Sequence, residues 1–127
     1  DLIFYNKKLL EDNNITTPAE YYAAGKWTFD AMKRVMMQVK ELGSGYVGGY
    51  LDVETLLGST GSSFYRFEDK KFVNGIDDRL IQVMQYMSQA IKDGLVRGIG
   101  YDYRDEFKNG KVGIAMTNAY GLKKNGY

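Results

Sequence analysis

The sequence predicts one α+β domain, helix-dominant, over residues 1–127. Three observations carry this. Two long stretches repeat apolar residues at three- and four-residue spacing, short β-prone apolar runs lie near each end of the chain, and Gly or Asn closes almost every periodic segment. At 127 residues the chain has the size of a single core, enough to bury roughly two thirds of the surface exposed on unfolding.

Leu2-Ile3-Phe4-Tyr5 is a short apolar run and reads as a strand, with Asn6 placed to cap a helix over Lys7 to Asp12 that Asn13-Asn14 ends. Thr17 before Pro18 is a cap followed by a proline already set to the helical φ, so a short helix runs to Ala24 and stops at Gly25. Thr28 caps the next helix, with Asp30 at the positive end of its dipole. Met32, Val35, Met36, Val39 and Leu42 form its apolar stripe up to Gly43, and Lys33, Arg34, Lys40 and Glu41 form a solvated face opposite. Trp27 precedes the cap, in the position of a hydrophobic staple, and is expected in the core.

After a glycine-rich turn a strand is expected near Tyr46 to Leu51, then a helix from Asp52 to Leu57 that breaks at Gly58. Phe64 to Phe67 and Phe72-Val73 flank Glu68 to Lys71 as a hairpin with a charged turn. Asp77 or Asp78 caps a long helix whose stripe is Leu80, Met84, Met87 and Ile91, supported by Ile81 and Val83 and closed by Gly94. The methionines at helical spacing, Met32, Met36, Met84 and Met87, are read as core filling. Asp102 to Lys108 is a further helical segment, and Val112 to Met116, short and bounded, is a buried strand.

Composition removes whole classes of chemistry. There is no His and no Cys, so neither imidazole nor thiolate is available for zinc, for a Ser-His or Cys-His nucleophile, or for a disulfide. No cofactor is indicated. Seventeen basic against sixteen acidic residues leave a net charge of +1, without the one-signed basic face that nucleic acid requires. No apolar run reaches the roughly 20 residues that span a bilayer, and no export signal opens the chain. The acidic groupings Asp77-Asp78 and Asp102, Asp105, Glu106 are read as caps and solvated charge, not as a glycosidase pair. Eleven Tyr, with their flat apolar faces and hydroxyls, suit amphipathic ligands.

Four motifs, in this order along the chain, carry a family resemblance: Tyr5-Asn6-Lys7-Lys8-Leu9-Leu10; Gly25-Lys26-Trp27-Thr28-Phe29-Asp30; Lys92-Asp93-Gly94-Leu95-Val96; and Phe107-Lys108-Asn109-Gly110-Lys111 leading into Ile114-Ala115-Met116. Together they resemble family 1 extracellular solute-binding proteins, the carbohydrate-binding components of ABC importers. The resemblance implies a periplasmic-binding-protein-like (type II) fold of two lobes joined by crossing strands, with this chain the central part of the second lobe and Leu2 to Tyr5 the strand arriving from the first. It further implies a non-enzymatic role in reversible sugar capture, a sugar or oligosaccharide ligand, a permease partner, and a periplasmic or cell-surface lipoprotein location with the export signal upstream.

The same resemblance nominates ligand-binding residues. Tyr120, after the last strand, would be a stacking platform for the C–H face of a pyranose, with Asn118 as a polar partner at the rim. Asp52 and Glu54, after the central strand, would offer carboxylates able to accept two hydroxyls, and Tyr101 would enter the cleft from the turn before Phe107. Each has a plainer reading: Asp52 as a helix cap with Glu54 in the first turn, and Tyr101 and Tyr120 as local packing. Two other functions stay open, a self-associating interaction domain and, less favoured, a small glycoside-acting enzyme using Asp or Glu.

Overall fold

The computed structural model describes residues 2–59, 65–68, 71–74, 78–97 and 104–117, with the backbone alone described at 2, 54, 59, 65–68, 71–74 and 117. The apolar run near its C-terminal end forms β5 (Val112–Thr117), in which Val112, Ile114, Ala115 and Met116 are buried because β5 is the middle strand of its sheet. On one side β1 (Leu2–Tyr5) runs antiparallel to it, Leu2 opposite Thr117 and Tyr5 opposite Ile114. On the other side β2 (Val47–Tyr50) runs parallel, Val47 opposite Val112 and Tyr50 opposite Ala115. Val96 adds a parallel bridge to Gly49 on the far side of β2.

Parallel neighbours need long crossovers, and helices supply them. The chain leaves β2 through α4 (Val53–Ser59), passes the hairpin β3 (Tyr65–Glu68) and β4 (Lys71–Asn74), and returns through α5 (Asp78–Lys92) to Val96. It then passes α6 (Arg104–Lys108) into β5. Preceding β2 are α1 (Lys7–Asp12), α2 (Pro18–Ala23) and α3 (Phe29–Lys40).

The stripe of α3 seats it against β2 and β5, with Met32, Val35, Met36 and Val39 buried and Leu42 half-buried. The approach is close enough to require glycine. A Cβ on Gly48 would lie 2.7 Å from Cβ of Met36 and 2.6 Å from the Leu95 carbonyl, and one on Gly113 would lie 2.7 Å from Val39 and 2.8 Å from the Gly48 carbonyl.

Helix ends follow local chemistry. Asn6 accepts the Leu9 N–H, Thr28 accepts that of Ala31, and Thr17 with Glu20 forms a reciprocal capping box across Pro18. At the C-terminus of α5, Leu95 N–H donates to Ala90 and Gly94 N–H to Ile91, a pairing that holds Gly94 at φ +68°. The same pairing closes α1, where Ile15 donates to Leu10 and Asn14 to Glu11, with Asn14 taking the left-handed conformation at φ 57°.

The predicted elements are present, with corrections of extent. α4 continues through Gly58 to Ser59, since one helical glycine costs only about 1 kcal/mol while Leu56 and Leu57 are fully buried. In the hairpin Glu68 pairs with Lys71 inside the ladder, so the connection narrows to two residues. α6 begins at Arg104, and Asp77, proposed as a cap, lies outside the described residues. The buried face of α5 is Leu80, Val83, Met87 and Ala90, whereas Ile81, Met84 and Ile91 are exposed. Reading Met84 as core filling was therefore wrong: two stripes compete on this helix, and packing on α4 selects one. Nor is the basic face of α3 only solvated, because Lys33 pairs with Asp93 at 4.0 Å and the Lys40 ammonium donates to the Asp93 carbonyl at the negative end of α5.

Candidate functional site

Because β2, the Val96 bridge and β5 run parallel, their carboxyl ends share one edge of the sheet, which is where ligand crevices open in α/β sheets. Two hollows include residues from that edge. The smaller, about 160 Å³, is built on Tyr50, Leu51, Asp52 and Val53 as the chain leaves β2, with Arg97 just past the bridge and Met87 and Ile91 from α5. The larger, about 300 Å³, has Ile3 of β1 beside its strand partner Met116 of β5. Trp27, Thr28 and Phe29 at the start of α3 line it too, with Met32 and Leu56.

In the smaller hollow, Asp52 Oδ2 accepts both the backbone N–H of Thr55, at 2.9 Å, and its hydroxyl, at 2.7 Å. That makes Asp52 the cap of α4 and orients its carboxylate. Arg97 lies 3.8 Å from Glu106, and both side chains keep solvent contact, so this pair adds little stability. Tyr50, Asp52 and Arg97 thus share one small, mainly apolar cavity with Leu51, Val53, Met87 and Ile91.

In the larger hollow the rings are held from behind. Trp27 packs on Tyr21 with centroids 6.1 Å apart, and Phe29 on Tyr86 at 5.3 Å. The Tyr86 hydroxyl donates to the Phe29 carbonyl at 2.8 Å, tying α5 to the first turn of α3. Burial, then the nearby Asp30 carboxylate, raises the Tyr86 phenol well above its ordinary range, so this donor keeps its proton.

Of the residues nominated from sequence, Asp52 lies in the smaller hollow and Glu54 stands in the first turn of α4, described by its backbone alone. Tyr101, Asn118 and Tyr120 lie outside the described residues. In sequence, Tyr101 follows the bridging Val96 by five positions, and Asn118 and Tyr120 follow directly on β5. The expectation for Trp27 needs amending: it packs on the core as a staple would, but it is only half-buried and also forms a wall of the larger hollow. Sequence reasoning passed over Tyr50, Arg97 and Phe29. A signal existed for Tyr50 and Arg97, since each sits at the end of an apolar run that enters a turn. Phe29 had none, because Tyr86, whose ring and hydroxyl hold it, is 57 positions away.

Among the described residues no group of three or more acidic side chains could hold a metal ion, and no helix is long and apolar enough to cross a membrane. No family model, curated protein or solved structure matches this chain.

Proposed function

We propose that the chain is the central part of the second lobe of a sugar-type solute-binding protein, the capture component of an ABC importer, working outside the cytoplasm as a periplasmic protein or surface lipoprotein. The observation that supports this most is the sheet. Helical crossovers wind the parallel set, while β1 joins β5 antiparallel at the opposite edge, as a strand arriving from another lobe would. The hollow bordered by Tyr50, Asp52 and Arg97 supports the ligand class, because a hydroxyl-rich ring needs one flat surface and several charged or polar partners.

The mechanism is differential affinity. A sugar bridging two lobes stabilises the closed arrangement, and a permease would read that shape; no bond of the ligand changes. If the intact protein binds at about micromolar strength, near −8 kcal/mol, one lobe with half the contacts retains about −4 kcal/mol, or millimolar. Titrating this chain with a panel of oligosaccharides by NMR should give shifts at Tyr50 and Arg97 with a dissociation constant on the order of a millimolar, weakened in Arg97→Ala. Absence of any response at high sugar concentration, or micromolar binding by this chain alone, would contradict the proposal.

One observation favours a second reading. Ile81, Met84 and Ile91 form an exposed stripe on α5, which suits an interaction domain. Concentration-dependent sedimentation that disappears in Met84→Ser would support it over sugar capture.

A further inference from the structure

The larger hollow differs in chemistry from the smaller one. We propose that the Trp27–Phe29 cleft is a separate binding site for a flat apolar ring of aryl size, independent of whether the smaller hollow takes a sugar.

Three observations converge. The first is size: an apolar cavity of roughly 150 Å³ accommodates benzene, and this cleft offers about 300 Å³, room for a six-membered ring with a short substituent. The second is lining. Among the described residues the polar side-chain groups are the Thr28 hydroxyl and the Trp27 indole N–H, with no charged residue; Ile3, Phe29 and Met116 are apolar. A pyranose placed here would leave hydroxyls without partners, whereas an aryl ring has none to satisfy. The third is preorganisation. Trp27 rests on Tyr21, and Phe29 is held by both the ring and the hydroxyl of Tyr86, so little side-chain freedom is lost when a ring enters between them. Ile3, 40% exposed, stands on the edge strand at the mouth.

Trp27 is the single tryptophan of the chain, so its indole N–H gives one resonance that reports this cleft directly. The whole chain would be titrated with phenyl β-glucopyranoside, benzyl alcohol and methyl β-glucopyranoside. Both aryl probes should shift the indole signal saturably, with dissociation constants on the order of a millimolar, and the methyl glucoside should leave it in place. Ile3→Tyr, which fills the mouth, should weaken both aryl probes about fivefold or more. Ile3→Ala, which removes one wall without adding bulk, should weaken them about threefold. Met84→Ser, on the exposed face of α5, should change nothing. An indole signal unmoved by either aryl probe, moved equally by the methyl glucoside, or moved undiminished in both Ile3 variants would overturn the assignment. Failure of the sugar proposal is read separately, at the Tyr50 and Arg97 amides.

Discussion

Two kinds of residue show how single atoms govern this molecule. Tyr86 holds its proton more tightly folded than unfolded, because burial and Asp30 both disfavour the phenolate. The group's folded value is raised, so its contribution to stability is complete below about pH 10 and declines as pH rises through the range where only the unfolded chain ionises. Thermal melts from pH 9 to 11 should therefore fall more steeply for the parent chain than for Tyr86→Phe, which at neutral pH should lose about 1 kcal/mol with its hydrogen bond to Phe29. Glycine acts through space. Gly48→Ala and Gly113→Ala each place a methyl inside contact distance of α3, and each should cost about 1–3 kcal/mol and several degrees of melting temperature. Gly45→Ala meets nothing within 4 Å and should be neutral or mildly stabilising.

At the scale of elements, helix ends were legible and helix faces less so. Asn6, Thr17 and Thr28 act as the caps their chemistry suggests, because a side-chain oxygen reaching an N–H three residues on is a local event. Thr28→Ala should cost about 1 kcal/mol by chemical denaturation, and through Phe29 it should also loosen the larger hollow. α5 is the contrary case. Ile81, Met84 and Ile91 share its helical periodicity with Leu80, Val83 and Met87, so the pattern alone admits either face. Packing on α4 decides, and Met87→Ala should cost about 2–4 kcal/mol whereas Met84→Ala should stay within about 0.5 kcal/mol.

At the scale of the molecule, β5 integrates the fold: it pairs on both sides, and Ile114 and Ala115 are wholly excluded from solvent. Its amides should exchange most slowly in native-state hydrogen exchange, near the global unfolding free energy, while those of α6, which buries no residue, should exchange through local opening. The direction of the strands brings the chain segments after β2, Val96 and β5 to a common edge, so positions far apart in sequence become candidates for one site. Asp52 was legible there because capping chemistry marks where a strand gives way to a helix. Arg97 carried only the weak mark of an apolar run entering a turn, and Phe29 carried none, because Tyr86, the partner that fixes it, lies more than fifty positions off.

By itself the sequence determined the identity and order of the elements, their caps and stops, the stripe of α3, and the chemistry ruled out by the lack of His and Cys. These follow from interactions within about four residues, or from composition. Tertiary structure alone decided which stripe of α5 is buried, the mixed direction of the sheet, and which of the two mainly apolar hollows includes charged residues in its lining. Each of those is set by contacts between segments distant in the chain, and hydrophobic periodicity carries no record of which neighbour a face will meet.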